Sequence, residues 1–351
     1  MLRLLCFIAF FGIVQSQVEK LEFIDLPIPD NLDALAIAKL FKDYTKTFKK
    51  DYKNLAKQTK CLGAFGENLR NIQKLKKKFT SCQFKLNQYS DLSDAEFAQK
   101  LLNFHPGANI SQHQNNLWHA DRSRYQELPE SFDWRDNDPE LVGPVKMQGE
   151  CGCCWAFTIC SIVHSAHYRK DGTSINPSEG QLCDCGMGSK PGCTGGDFPT
   201  AFGYVKNNGV SLEPDYPLYD DKRAVTGDVC QDSGKPNNVR IADFAFVQPA
   251  EASAMQQALV QNGPIAVAFK LGQSYRHYAS GVFTSDDCLE PGLTLGWHAV
   301  VLVGYGEENG QPYWLIKNSW SEDWGLGGYQ KIARGNDLCY IESTASAFAF
   351  A

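Results

Sequence analysis

Thirteen cysteines stand in this chain of 351 residues, and three of them crowd into Gln148-Gly149-Glu150-Cys151-Gly152-Cys153-Cys154-Trp155-Ala156-Phe157. That stretch constrains the fold more than any other. Its glycines let the backbone bend tightly, and Trp155 to Tyr168 then offers Phe157, Ile159, Ile162 and Val163 at the spacing of a buried helix that ends near Asp171-Gly172. Cys154 opens that helix. A thiol at a helix N-terminus feels the partial positive charge of unpaired N–H groups, which favours the thiolate, the form that is nucleophile and metal ligand. A small cysteine that merely packs is the plainer alternative, and the partners decide between them.

A nucleophilic cysteine needs a base, and four histidines follow position 128: His164, His167, His277 and His298. His164 and His167 ride the helix of Cys154 and at ~1.5 Å per residue lie roughly 15 to 20 Å from it. His277 sits in Tyr275-Arg276-His277-Tyr278 and is expected at the surface. His298 begins His298-Ala299-Val300-Val301-Leu302-Val303, a buried-strand pattern that holds an imidazole rigidly, and is the candidate base. After the strand-like Tyr313-Trp314-Leu315-Ile316 comes Lys317-Asn318-Ser319-Trp320. Asn318 is placed to accept from the second imidazole nitrogen and fix the tautomer, with Trp320 keeping water off that bond. Gln148 and the Cys154 N–H are the candidate donors to an oxyanion.

Residues 1–16 read as a cleaved secretory signal: Leu4 to Val14 is apolar but too short to span a bilayer, and Ser16 is small. No later segment is apolar enough to cross a membrane, so a soluble product passing through an oxidising compartment is expected. Residues 17–128 separate by charge. From Phe41 to Lys100 there are 14 Lys and Arg against 6 Asp and Glu, whereas residues 129–351 carry 15 against 27. A basic helical segment suits nucleic acid or an anionic membrane, but the acidic partner in the same chain is the simpler destination, and no basic patch or phosphate loop supports nucleic acid binding. Asn109-Ile110-Ser111 is the one glycosylation sequon, because Asn176 precedes Pro177. The polar stretch Arg122 to Glu127 is the kind of segment that proteases cut. The Cys151-Cys153-Cys154 and Cys183-Cys185 clusters also fit a zinc site, which a disulfide-forming compartment disfavours.

Gln-Gly-x-Cys-Gly-x-Cys-Trp-Ala-Phe, Gly192-Cys193-x-Gly195-Gly196, His298-Ala299-Val300 and Asn318-Ser319-Trp320, in this order, resemble a papain-family cysteine peptidase of the cathepsin group. Phe65, Asn68, Ile72 and Asn87-x-Tyr89-x-Asp91 resemble parts of the cathepsin propeptide, with Lys57, Cys61 and Lys85 departing from its pattern. The resemblance implies an α+β fold of two lobes, one helical and one β-barrel-like, with the cleft between them and a mainly helical inhibitory prosegment (17–128) before the peptidase domain (129–351). It implies Cys154, His298, Asn318 and Gln148 as the catalytic set. Gly195, Gly196, Asp197, Phe198, Ala268, Gly296, Ala299, Trp324 and Thr344 would contact substrate. Five of these, Phe198, Ala268, Gly296, Ala299 and Thr344, would line the pocket for the residue one before the scissile one, with Asp197 at its rim; with no acid on its floor, hydrophobic side chains are expected there.

The resemblance also implies disulfides Cys151–Cys193, Cys185–Cys230 and Cys288–Cys339. Cys160 with Cys183 is expected as a fourth, and Cys61 with Cys82 as a bridge in the prosegment. Cys153 stands where the family usually has serine, and adjacent cysteines bridge only through strained geometry, so it is expected to be a neutral neighbour. Trp297 departs from the family and is expected to narrow the leaving-group side with Trp324; Ser321 replaces a glycine; Asp136 to Gly143 is about two residues longer than usual. No occluding loop is visible, which points to endopeptidase action. No cofactor is implied. The expected partners are protein and peptide substrates, the chain's own prosegment and cystatin-type inhibitors. A monomer in a lysosome-like compartment or outside the cell is expected. A silent papain-fold binding protein and an acyl transferase using the same thiol are the alternatives.

Overall fold

The computed structural model describes residues 26–106, 115–188, 190–218, 230–231, 236 and 238–351. The expected signal segment and Asn109 lie outside them. In the N-terminal unit, α1 (Ala34–Thr47) starts on Asp33, whose carboxylate accepts the Ala36 N–H, and α2 (Leu55–Lys78) starts on Asn54, which accepts the Lys57 N–H. Their apolar stripes meet: Phe41 and Tyr44 pack on Phe65 with ring centroids 5.3 and 4.8 Å apart. β1 (Cys82–Phe84) follows. A reciprocal cap between Ser93 and Glu96 opens α3 (Asp94–Leu101). β2 (Leu117–His119) is the unit's last strand, followed by a 3-10 helix over Arg122–Glu127.

The rest begins with β3 (Phe132–Asp133) and two short helices, α4 (Trp134–Asn137) and α5 (Pro139–Val142), into which the lengthened 136–143 segment folds. The helical lobe is built on α6 (Cys154–Asp171), α7 (Glu179–Cys185) and α8 (Phe198–Asn207). Gly172 closes α6 in the left-handed conformation that glycine takes without strain. The second lobe holds β4 (Asp243–Gln248), α9 (Ala252–Asn262), β5 (Ile265–Gly272), β6 (Tyr278–Phe283), β7 (Thr294–Glu308), β8 (Gln311–Lys317), β9 (Tyr329–Ala333) and β10 (Ala347–Phe350).

Strands pair in the order β1-β6-β9-β8-β7-β5-β10-β4-β2. The N-terminal unit therefore covers both ends of the ladder, β1 antiparallel on β6 and β2 parallel on β4. Such edges otherwise leave a row of unpaired backbone groups. The two-residue period of the central strands sends alternate side chains into two cores. Ile265, Val267, Phe269, Val300 and Leu302 join the core shared with α1, α2 and α3. Ala266, Ala268, Ala299, Val301 and Val303 join the core built on α6 and α8. Small residues on the second face let α6 lie close, and His298 and Ala299 fall where β7 passes the start of that helix.

Disulfides join Cys151 to Cys193, Cys185 to Cys230 and Cys288 to Cys339. The other expected bridges are absent. Cys160 and Cys183 are both free, because the sulfur of Cys183 turns toward Cys151, 3.5 Å away. Cys61 and Cys82 are free as well: α2 runs on from Cys61 to Lys78, which at ~1.5 Å per residue carries the chain roughly 25 Å away before Cys82 is reached, far beyond bridging distance.

Candidate active site

The sharp bend at Gly149, whose φ of 65° suits glycine, leads into the start of α6. Cys153 offers that helix no side-chain cap, and Cys154 is its first residue. The Ala299 N–H donates to Cys154 Sγ at 3.5 Å, so β7 passes directly over the thiol. His298, the preceding residue, is fully buried. Its Nε2 bonds Asn318 Oδ1 at 2.8 Å, and its Nδ1 has no hydrogen bond among the described residues. Trp320 lies over the imidazole, centroids 4.7 Å apart, and shuts water from the His298–Asn318 bond.

Gln148 is locked between lobes. Its backbone N–H donates to the Ser319 carbonyl at 2.9 Å, and Ser319 Oγ donates to its Oε1 at 2.7 Å. Its Nε2 is thereby turned to the Cys151 carbonyl, 2.8 Å away, and to the carbonyl of Leu101, 3.0 Å away. Ser319 is a positioning residue that the motif contained but that sequence reasoning gave no role.

Leu101 belongs to the N-terminal unit, and residues 101–105 run through the cleft. Asn103 Nδ2 donates to the Cys193 carbonyl at 3.1 Å, the Gly196 N–H donates to the Asn103 carbonyl at 3.1 Å, and the His105 N–H donates to the Gly196 carbonyl at 2.9 Å. Gly195 and Gly196 thus hold an extended backbone. A Cβ at Gly195 would lie 2.4 Å from the Asn103 carbonyl oxygen, so only glycine admits the segment this closely. Phe104 packs on Phe198 at 4.6 Å, and Leu102 abuts Gly296. Ala268 and Ala299 are register partners on β5 and β7. Asp197 caps α8 through the Thr200 N–H, and Thr344 is half-buried ahead of β10.

Two expectations need correction, at His277 and Trp297. His277 is buried, because β1 lies over its loop and the Lys85 N–H donates to its carbonyl. Burial and the Arg276 guanidinium, 3.1 Å away, hold its imidazole well below the ordinary histidine range. Trp324 is buried with the prosegment in place, as Cys154 and His298 are: it packs on Trp320 and donates to the Arg276 carbonyl. Trp297 does not join it, since its carbonyl takes the Phe104 N–H and its ring lies by Tyr340.

Arg276 was also missed. Fully buried, it reaches Asp94 Oδ1 at 2.5 Å, the side chain of Asn68 and the Leu92 carbonyl, tying the domain to α2 and α3. Tyr89 and Phe97 pack edge-on against Trp320 at 5.7 and 5.3 Å. The charge contrast contributes less than its size suggests. Among the described ion pairs, Lys100–Glu150 and Arg122–Glu251 run from basic unit to acidic domain, whereas Lys50, Lys57 and Lys60 pair with Asp91 and Glu96 of their own unit.

Under this cover the Cys154 thiol and the His298 imidazole favour their neutral forms. Burial pushes the Cys154 thiol up to about 11, against the backbone N–H groups of Ala299, Asn103 and Trp155, and it pushes His298 down to about 4, against the bond to Asn318. The sequence reading of a thiolate at the helix start omitted this covering segment.

A thiol opening a helix, an amide-oriented imidazole on the facing strand, an amide donor between them and an N-terminal unit lying in the cleft define a two-lobed cysteine protease held under its own prosegment. The comparisons agree. Residues 128–349 match the papain family cysteine proteases and residues 41–97 the cathepsin propeptide inhibitor domain (I29). The chain belongs to the papain family. It is 35% identical to cysteine proteinase 2 of Zea mays over 90% of this chain and 84% of that one, and 32% identical to pro-cathepsin H of Mus musculus over 87% and 89%. The digestive procathepsin L2 proteinase of Tenebrio molitor larval midgut superposes with a TM-score of 0.76 at 30% identity, covering 90% of this chain and all of that one. Among the described residues no helix is long and apolar enough to cross a membrane.

Proposed function

We propose that this cysteine protease is an endopeptidase made as a zymogen, with Cys154 as nucleophile, His298 as acid and base, Asn318 orienting the imidazole, and Gln148 with the Cys154 N–H as the oxyanion site. The observation that carries the reading is the bond from Gln148 Nε2 to the Leu101 carbonyl, 3.0 Å long: a peptide carbonyl lies where a substrate's would be polarised. Once the prosegment leaves, water returns, desolvation falls, and the proton of Cys154 passes to His298. The thiolate attacks the scissile carbonyl, the oxyanion forms against Gln148, and His298 protonates the leaving amine. Water, activated by the same histidine, then cleaves the acyl-enzyme.

Gly195 and Gly196 hold the substrate backbone in this reading, and Phe198, Ala268, Gly296, Ala299 and Thr344, with Asp197 at the edge, receive a hydrophobic side chain. The chain's own Leu102 and Phe104, packed at Gly296 and Phe198, support that preference. We assign 1–16 to a signal, 17–128 to the prosegment and 129–351 to the monomeric mature enzyme, which acts in an acidic vesicle or outside the cell and is open to cystatin-type inhibitors. Acid releases the prosegment.

The test is acid-treated precursor on a hydrophobic dipeptidyl fluorogenic substrate, with and without a thiol-reactive epoxide. Turnover abolished by the epoxide supports the reading. A silent binding protein gives none, and an acyl transferase diverts product to added amine.

A further inference from the structure

A thiol that the catalytic reading does not use lies against the disulfide nearest the cleft. Cys183, on α7, places its sulfur 3.5 Å from that of Cys151, and the sulfurs of Cys151, Cys183 and Cys193 all lie within 4.8 Å of one another. Cys151 and Cys193 are bonded; Cys183 and Cys153 are free and buried, and their side chains are hydrogen-bonded to each other. The backbone carrying Cys193 is pressed on the same thiol, since a Cβ at Gly192 would fall 3.0 Å from Cys183 Sγ. A free thiol in van der Waals contact with a disulfide is the arrangement from which exchange starts.

We propose that Cys183 and the Cys151–Cys193 bond form an internal thiol–disulfide exchange centre, with Cys193 as the leaving sulfur. Cys183 loses its proton and its thiolate attacks Cys151 Sγ. The Cys151–Cys183 bond forms as the Cys151–Cys193 bond breaks, and Cys193 leaves as a thiolate that takes up a proton. One disulfide replaces another, so no oxidant or reductant is consumed.

With three sulfurs mutually close, Cys183 meets the bond obliquely, and Cys193 must swing outward to bring them into line. Cys193 is half-buried on the short turn Gly192–Thr194, and its carbonyl is held by Asn103 of the prosegment at 3.1 Å. The prosegment therefore clamps the leaving sulfur, and its loss frees it. Exchange would untie the Gly195–Gly196 wall from the start of α6 and leave a modifiable thiol at the cleft rim, separate from Cys154. This inference rests on the sulfur geometry alone and stands whether or not the peptidase assignment does.

The experiment uses processed enzyme with Cys154 capped by an epoxide, incubated between about pH 6 and pH 8 and sampled over time, because exchange needs a thiolate. After an acid quench and alkylation it is digested without reduction and mapped by mass spectrometry. A Cys151–Cys183 cross-linked peptide with alkylated Cys193 is expected. Both should appear faster as pH rises, be lost in Cys183→Val and Cys183→Ala, persist in Cys153→Ser, and be suppressed in unprocessed precursor. Finding only Cys151–Cys193 at every pH, with Cys193 alkylation equal to that of Cys183→Val, would overturn the proposal, as would loss of exchange in Cys153→Ser alone.

Discussion

Leu101 and Gln148 are joined across the cleft by a 3.0 Å bond in which the prosegment's carbonyl accepts from the glutamine's side-chain amide. In the proposed mechanism, the donor that a reacting carbonyl needs is already engaged by the chain itself. Inhibition and catalysis therefore share this contact, and changes at Gln148 act on both.

Replacing Gln148 with alanine should lower kcat about 100- to 1000-fold with KM little changed, the effect of losing one oxyanion donor. Ser319→Ala, which removes the bond holding Gln148 Oε1, should give a smaller loss of the same kind, about tenfold, for one hydrogen bond of roughly 1.5 kcal/mol. Steady-state kinetics on processed enzyme checks both. A rise in KM at constant kcat would mean that Gln148 only binds substrate.

In a Cys154→Ala precursor, where no thiol proton can pass to His298, acid should loosen the prosegment through this histidine. Covered, its imidazole lies at about 4, whereas an exposed histidine lies near 6.5. Between those values the uncovered state binds more protons. The covered state keeps its advantage above about 6.5 and loses it as pH falls through about 4, by at most about 3 kcal/mol. Amide exchange protection in α3 of a Cys154→Ala precursor, corrected for the intrinsic pH dependence, should fall across that window; constant protection would count against the mechanism.

Phe97→Ala should weaken the cover by about 3 to 5 kcal/mol, because its ring is buried against Trp320 and Tyr89. Lys100→Ala should cost less than about 1 kcal/mol, since its partner Glu150 is mostly exposed. Rates of epoxide labelling at Cys154 in the two precursors compare them, and a larger effect at Lys100 would restore charge contrast as the main attraction.

Ser321 adopts a φ of 65°, a left-handed conformation that costs a serine but not a glycine. Ser321→Gly should raise stability by about 0.5 to 1 kcal/mol, read as a higher Tm. A lower Tm would show that its hydroxyl, which accepts from the Asp323 N–H, outweighs the strain.

What the sequence disclosed was what local pattern encodes. Phe157, Ile159, Ile162 and Val163 mark α6, Gly172 ends it, and the apolar run after His298 marks β7, so the elements carrying nucleophile and base could be found. What escaped depends on distant segments meeting. His277 looks exposed until β1 arrives from nearly two hundred positions upstream, and Arg276 gains meaning only beside Asp94 and Asn68. Cys160 and Cys183 share a lobe, but the direction of a sulfur, which spacing does not encode, decided against a bridge. Leu101 and Asn103 carry no motif; they act through backbone carbonyls and, at Asn103, a side-chain amide.

The central claim is that Cys154, and not its neighbour Cys153, carries the chemistry with His298. Active-site titration with a thiol-reactive epoxide, alongside turnover of a hydrophobic dipeptidyl substrate by Cys154→Ser and Cys153→Ser enzymes, tests it most directly. The account predicts no label and no turnover in the first and most of both in the second; a Cys154→Ser enzyme that keeps its activity while Cys153→Ser loses it would contradict the account.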